Sequence, residues 1–154
     1  MSKLTRLIMV TIAVVILVLV PTSCAKTDTT NEKASSLLLA QVNLRKEQIA
    51  NPSADRLEIM KNMGMRVDNL EIQRIFVHLS QELNNSQIEE LQAMGLTLYL
   101  DSWIPPVGGH PTGFILADMP IDKLEALAEK DYVRRLDTAE RELEPQASSQ
   151  PQVE

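Results

Sequence analysis

The stretch that decides the fold is residues 72–80, which read Ile-Gln-Arg-Ile-Phe-Val-His-Leu-Ser. Its side chains alternate with the period of two that is typical of a β-strand. The aliphatic face carries Ile75, Val77 and Leu79, and the other face carries Arg74, Phe76 and His78. This pattern predicts an amphipathic strand that packs on a core through its aliphatic face.

The segments after this strand predict the rest of one small domain. They are a helix capped by Ser86 and Glu89 and ended by Gly95, a strand over 96–101, a Pro- and Gly-rich loop over 105–111, a strand over 113–119, a helix opened by Asp122 and Glu125, and a strand over 133–138. The order β-α-β-β-α-β is typical of the ferredoxin-like, or split βαβ, fold. We therefore expect an α+β domain in which two helices cover one sheet face and leave the other face open.

A helical segment is expected before this domain. Apolar residues at helical spacing follow Ser35, and Asn51 and Pro52 stop the pattern. A second short helix is expected to begin at the cap Asp55 and to end at Gly64. These helices are either a spacer that packs loosely on the domain or a dimerisation element. The expected division of the chain is an export segment (1–24), a polar tether (25–34), a helical segment (35–65), the ferredoxin-like domain (66–142) and a disordered tail (143–154).

The N-terminus has the features of an export signal. Lys3 and Arg6 precede an apolar run over residues 7–20, and Pro21 ends that run because proline lacks the amide donor that a helix needs. The run is shorter than the roughly twenty apolar residues of a membrane-spanning helix. We therefore expect the remainder of the chain to lie outside the cytoplasm.

Cys24 is the single cysteine of the chain. Together with Thr22 and Ser23 it resembles the lipobox of bacterial lipoproteins, although Pro21 stands where that motif usually has leucine. The resemblance implies that Cys24 carries a lipid anchor and becomes the mature N-terminus. Two alternatives remain open, namely signal-peptidase cleavage after Ala25 and an uncleaved N-terminal anchor.

Composition argues against two classes of function. The net charge of -6, with lysines and arginines scattered among acidic residues, does not favour a nucleic-acid partner. The two histidines and the single cysteine have no metal-ligand spacing, and no glycine-rich phosphate loop follows a strand. We therefore expect a protein that is not an enzyme and that uses no cofactor and no metal.

The open sheet face is the candidate binding surface. The alternation places five candidate residues on it, with Trp103 close by: Phe76, His78, Tyr99, Phe114 and Leu116. A solvated sheet face is usually polar, so an aromatic face indicates a covered surface. In the alternative interpretation the helix over 37–49 folds over this face and completes the core.

Five segments, residues 74–80, 88–95, 113–120, 124–128 and 132–136, together resemble the propeptide domains of subtilisin-like serine proteases and the related stand-alone inhibitors. The resemblance implies that the open face docks on the protease and that the segment after the last strand occupies the substrate cleft. That segment comprises Thr138, Ala139, Glu140, Arg141, Glu142 and Leu143. Because no protease follows, the resemblance implies action in trans.

The function expected from the sequence is therefore extracytoplasmic protein binding, as a trans-acting inhibitor or folding helper of a subtilisin-like protease. The alternative is a structural or assembly module of the cell envelope that binds a protein other than a protease. Attachment to the membrane would come through the N-terminal lipid or anchor.

Overall fold

The computed structural model describes residues 26–141, which form a mixed α+β fold with one four-stranded antiparallel sheet. In chain order the elements are α1 (Lys26–Lys33), α2 (Ser36–Ala50), α3 (Ala54–Asn62), β1 (Ile72–Leu79), α4 (Asn85–Ala93), β2 (Thr97–Ile104), β3 (Gly113–Pro120), a 3₁₀ turn (Ile121–Lys123), α5 (Leu124–Ala128) and β4 (Val133–Thr138). The predicted α+β class is confirmed. The expected export segment with Cys24, and the expected tail over 143–154, lie outside the described residues.

The sheet has the strand order β2-β3-β1-β4, so the first and third strands form its centre. They pair along their whole length, from Ile72 opposite Pro120 to Leu79 opposite Gly113. β4 lies at one edge beside β1, and β2 lies at the other edge beside β3. The helical connections β1-α4-β2 and β3-α5-β4 therefore each join strands that are not neighbours.

The predicted alternation of the two central strands is confirmed, because every second side chain is buried. The buried set on this face comprises Ile75, Val77, Leu79, Ile115, Ala117 and Met119. Leu91 of α4 and Leu127 of α5 belong to the same core. Burial of one large aliphatic side chain contributes about 1.5–3 kcal/mol, so this face holds the helices on the sheet.

Helix α2 packs on the same core. Ser35 caps it, since the hydroxyl accepts a hydrogen bond from the amide of Leu38 at 3.3 Å. Leu38 and Val42 are buried in the cluster that contains Ile75. The interpretations of this helix as a loosely packed spacer and as a cover for the open sheet face are therefore wrong.

Residues 26–33 form helix α1, where a polar tether was expected. The chain then pairs with the outer edge of β4, because Ala34 forms a parallel bridge with Leu136 and the amide of Ser35 donates to the Leu136 carbonyl at 2.9 Å. Lys33 Nζ also donates to the Lys130 carbonyl at 2.9 Å. The polar composition of residues 26–33 did not indicate that this segment attaches to the domain. The contacts of Ala34 and Ser35 with Leu136 are made by the backbone, which composition does not report.

Helix α4 begins two residues earlier than predicted. Asn84 is its cap and Gln87 closes the capping box, with both reciprocal hydrogen bonds at 3.0 Å. The predicted Ser86–Glu89 box is wrong, because Asn84 and Gln87 satisfy the same motif and Ser86 falls inside the first turn. The predicted left-handed residue at its end is confirmed, since Gly95 has φ of +91°.

The caps predicted for α3 and α5 are also wrong. The hydroxyl of Ser53 caps α3 by accepting from the amide of Arg56 at 3.4 Å, so Asp55 lies within the first turn. α5 has no side-chain cap, because the 3₁₀ turn that contains Asp122 leads directly into it. Gly64 is the residue predicted to end α3, and its φ of +71° is the left-handed conformation that such a residue adopts.

Strand β2 is irregular, and this changes where Trp103 lies. Tyr99 is opposite Leu116 and Ile104 is opposite Phe114, so β2 uses more residues than β3 between these pairs. Trp103 packs against the core on the helical side and not beside the open face. The hydroxyl of Ser102 fills the break in the ladder, because it donates to the Tyr99 carbonyl and accepts from the Leu116 amide at 2.8 Å.

Candidate protein-docking face

The open sheet face is centred on two aromatic rings from the central strands. Phe76 and Phe114 meet edge to face, with centroids 5.2 Å apart and an interplanar angle of 72°. His78 is paired with Phe114 in the register, and their ring centroids lie 5.6 Å apart. Leu116 continues the apolar surface towards Tyr99. The strand pairing thus brings all five residues of the predicted face together, and each is half-buried.

One end of the face is a hydrogen-bonded ion pair. Arg74 donates to Asp118 from Nε at 2.7 Å and from Nη2 at 3.0 Å, a bidentate geometry that fixes both groups. The Tyr99 hydroxyl donates to Asp118 Oδ2 at 2.8 Å, and the Arg74 guanidinium lies 5.2 Å from the Tyr99 ring centroid. The hydrogen bond from Arg74 holds the pKa of Asp118 below its usual range, although partial burial opposes this.

The other end of the face carries a histidine beside a carboxylate. His78 Nε2 lies 3.4 Å from Asp137 Oδ2, and Arg135 Nε lies 2.8 Å from the same oxygen. Burial lowers the pKa of His78, and the Asp137 charge only partly offsets that effect. Burial acts to raise the pKa of Asp137, but hydrogen bonds from Ser35 and Arg135 hold it below its usual range.

The connection between β2 and β3 forms a groove at the His78 end of the face. The groove has a volume of about 260 Å³, and its lining includes His78, Phe114, Ile104, Val107 and His110. Ile104 and Val107 are large apolar residues that remain 46% and 62% exposed. The apolar surface of the sheet therefore continues onto the loop.

The charges of this face are balanced within the face. Asp118 pairs with Arg74, while Asp137 lies between Arg135 and His78. A charge that loses its water without a partner is costly, whereas a paired and hydrogen-bonded charge is much less so. An apolar partner surface can therefore cover this face without leaving one of these charges unpaired.

The structure corrects the predicted cleft-occupying segment. Thr138 and Glu140 are only 1% and 4% exposed, because they are held inside the domain. The amide of Ala139 donates to the Arg74 carbonyl at 3.1 Å. Arg141 is exposed, and Glu142 and Leu143 lie outside the described residues. Any free segment must therefore begin at Arg141, three residues later than predicted.

A buried polar cluster holds Thr138 and Glu140. Arg45 of α2 is fully buried and donates to Glu140 Oε2, to Gln73 Oε1 at 2.8 Å and to the Asn69 carbonyl at 3.1 Å. Gln41 Nε2 donates to the Glu140 carbonyl at 2.7 Å, and the Thr138 hydroxyl donates to Gln41 Oε1. This cluster, hereafter the Arg45–Glu140 cluster, joins α2, β1 and the chain after β4.

The sequence interpretation missed this cluster. Gln41 and Arg45 are four residues apart on the same stripe of α2 as Leu38 and Val42, so their spacing indicated that they face the core. Gln73 likewise shares the buried face of β1 with Ile75. The spacing alone could not pair these side chains with Glu140, which is distant in sequence.

Acid sensitivity offers a test of the Arg74–Asp118 pair. The pKa of Asp118 is lower in the folded chain than its unfolded value of about 3.9. This carboxylate therefore contributes stability above that pH, and the contribution is lost as the pH falls through the lower folded pKa. We expect Asp118→Asn to be less stable than the wild type at neutral pH and to lose less stability between neutral pH and pH values below about 3.9. Urea unfolding at a series of pH values measures the free energy of unfolding of both proteins. If it falls with pH by the same amount in the wild type and in Asp118→Asn, the prediction is contradicted.

Among the side chains that the structure describes, those of residues 29–141, no three from His, Cys, Asp or Glu form a group that could hold a metal ion. None of the helices within residues 26–141 is long and apolar enough to cross a membrane. Comparison of the chain with protein-family models, with curated proteins and with solved structures found no match.

Proposed function

We propose that this chain is an exported protein-binding domain that docks on its partner through the open sheet face. The observation that carries the proposal is the joined apolar surface of Phe76, Phe114 and Leu116, which continues onto Ile104 and Val107. Aromatic residues near the centre of a patch are the residues that most often anchor interfaces. The internal balance of charge on this face favours a protein surface as the occupant.

The fold is, on this proposal, the ferredoxin-like arrangement. Its support is the element order from β1 to β4 together with the central position of the first and third strands. In this arrangement α4 and α5 cover one sheet face, and here α2 adds a third helix on the same side. The partner class that the sequence resemblance favours is a subtilisin-like serine protease, bound in trans as an inhibitor or folding helper.

The N-terminus would place this domain at the membrane. The basic residues and the apolar run before Pro21 support export, and Cys24 would carry the lipid. On this proposal the open face meets its partner outside the cytoplasm, at the cell surface or in the periplasm. Neither a nucleic acid nor a cofactor has a part in it.

The alternative function is a cell-envelope assembly module that binds a protein without inhibiting a protease. One observation favours it, namely the burial of Thr138 and Glu140 in the Arg45–Glu140 cluster. If these residues stay in place, the substrate cleft of a protease can receive only the chain from Arg141 onward. The two functions share the docking face and differ in whether the partner is inhibited.

The proposal is tested with the full-length chain in two assays. The first is inhibition of a panel of subtilisin-like proteases, and the second is crosslinking in native membranes followed by mass spectrometry. We expect Phe114→Ala to weaken binding by about thirtyfold or more, since loss of an interface hot spot costs about 2 kcal/mol or more. Melting temperatures establish that the variant remains folded.

A matched pair of isoleucines provides the control. Ile104 on the docking face is 46% exposed and Ile49 on α2 is 45% exposed, so truncation removes similar surface. We expect Ile104→Ala to weaken binding and Ile49→Ala to leave it unchanged. Equal effects of the two substitutions would refute the docking face. Specific capture of a partner without inhibition of any protease would favour the assembly module.

A further inference from the structure

A second candidate site lies on the helical side of the sheet, away from the docking face. It is a cavity of about 350 Å³ between α1, α2 and the 3₁₀ turn before α5. Its floor is apolar and comprises Leu39, Val42, Ile121 and Leu124. Ligand-binding cavities begin at about 300 Å³, so this one suits a small molecule.

Thr30 lines this cavity and carries an unsatisfied hydroxyl. The residue is 6% exposed, and its Oγ1 has no hydrogen-bond partner. Among the side chains of residues 29–141 it is the one buried polar atom in this condition. A buried polar group without a partner costs about 1–3 kcal/mol. An occupant that offers a polar atom to this hydroxyl would remove that cost.

The rim of the cavity carries charges of both signs. The side chains of Lys46, Glu125 and Asn43 line this rim, and none of the three makes a side-chain hydrogen bond or a close ion pair with the described part of the chain. A hydrogen bond from Lys123 holds the pKa of Asp122 low, and the charge of Lys46 adds to the effect across the cavity. In contrast to the docking face, the rim thus carries a cation and a carboxylate, Lys46 and Glu125, that have no hydrogen-bonded partner of opposite charge in the described part of the chain.

We propose that this cavity binds a small zwitterion with an apolar side chain, of the class of a free aliphatic amino acid or its dipeptide. Lys46 would receive the carboxylate, Glu125 would receive the ammonium group, and the floor would receive the side chain. A simple anion would meet the carboxylates of Asp122 and Glu125, and a purely apolar molecule would leave the rim unused. The proposal is independent of the docking face.

The test is a calorimetric titration of the full-length chain in mild detergent with L-leucine and with L-leucyl-L-leucine. N-acetyl-L-leucinamide is the matched ligand, because it keeps the side chain and lacks both charges. We expect saturable binding of at least one zwitterion and none of the neutral analogue. Lys46→Met should weaken binding by roughly tenfold, as loss of a charge-assisted hydrogen bond does, while Lys61→Met on the exposed surface of α3 should not.

Thr30→Val provides a second test, which measures the melting temperature of the free protein as well as its affinity for the zwitterion. Valine keeps the shape of threonine and removes the unsatisfied hydroxyl, so the free protein should melt at a higher temperature while zwitterion affinity falls. The absence of saturable binding by both zwitterions would overturn the proposal. Equal binding of the neutral analogue, or binding that Lys46→Met leaves intact, would overturn it as well.

Discussion

Glu140→Ala is expected to lower the free energy of unfolding by about 3–5 kcal/mol, the range for breaking a buried ion pair from one side. The Glu140 carboxylate accepts from the Arg45 guanidinium and from the backbone amides of Arg66 and Arg74, both at 2.9 Å. Alanine leaves the buried Arg45 charge and both amides without that partner. Urea unfolding at neutral pH measures the loss from the change in midpoint at constant slope.

Two further variants separate the ion pair from a general effect of losing a carboxylate. Glu58→Ala on the exposed surface of α3 should change stability by no more than about 0.5 kcal/mol. The double variant Arg45→Met with Glu140→Gln should lose less free energy of unfolding than the sum of the losses of Arg45→Met and Glu140→Gln measured separately. The reason is that the double variant leaves no unpaired buried charge. A loss below about 1 kcal/mol for Glu140→Ala would mean that the Arg45–Glu140 cluster does not hold α2 to the chain after β4.

Gly113→Ala is expected to destabilise the domain by about 3 kcal/mol, the upper end of the usual range for overpacking. An added Cβ would lie 2.3 Å from the Ile104 carbonyl oxygen, 2.5 Å from the Trp103 ring and 3.0 Å from the Pro105 carbonyl carbon. Two of these three atoms belong to the backbone, so the clash is relieved only by moving the connection between β2 and β3. The same movement would displace the groove of the docking face.

Tryptophan fluorescence gives a direct readout, because Trp103 is the single tryptophan of the chain. Displacement of this ring from the core should shift its emission to longer wavelength in the folded state. Gly109→Ala is the control within the same connection, since an added Cβ there meets no atom within 4 Å. An unchanged emission maximum and melting temperature for Gly113→Ala would contradict the close approach of β2 to Gly113.

The central strands could be predicted because their signal is local. Side chains two apart on a strand share a face. The alternation over residues 72–80 therefore predicted which side chains are buried and which are half-buried without knowledge of the neighbouring strands. The same rule placed Phe76 and His78 on the open face, and the pairing of β1 with β3 then brought Phe114 beside them. Alternation therefore predicted which sheet residues share the open face, and the structure added Ile104 and Val107.

Failures of prediction arose where two distant segments meet. Asn84 and Ser86 are both residue types that can cap a helix, and in the structure the reciprocal capping hydrogen bonds join Asn84 and Gln87. Trp103 lies on the helical side because β2 breaks its register after Tyr99, and a period of two cannot anticipate such a break. The polar composition of residues 26–33 predicts a tether, whereas in the structure they form helix α1 and the following Ala34 pairs with Leu136 of β4.

The sequence by itself determined the α+β class, the alternation of the central strands and the five sheet residues of the docking face, since these depend on neighbours within a few residues. Only the tertiary structure decided that Arg45 pairs with Glu140, that Thr138 is buried beside Gln41, and that Thr30 keeps an unsatisfied hydroxyl beside a cavity. The physical reason is that a buried polar group is specified by the partner that satisfies it. That partner is brought close by the packing of α2 against the sheet and not by its position in the chain.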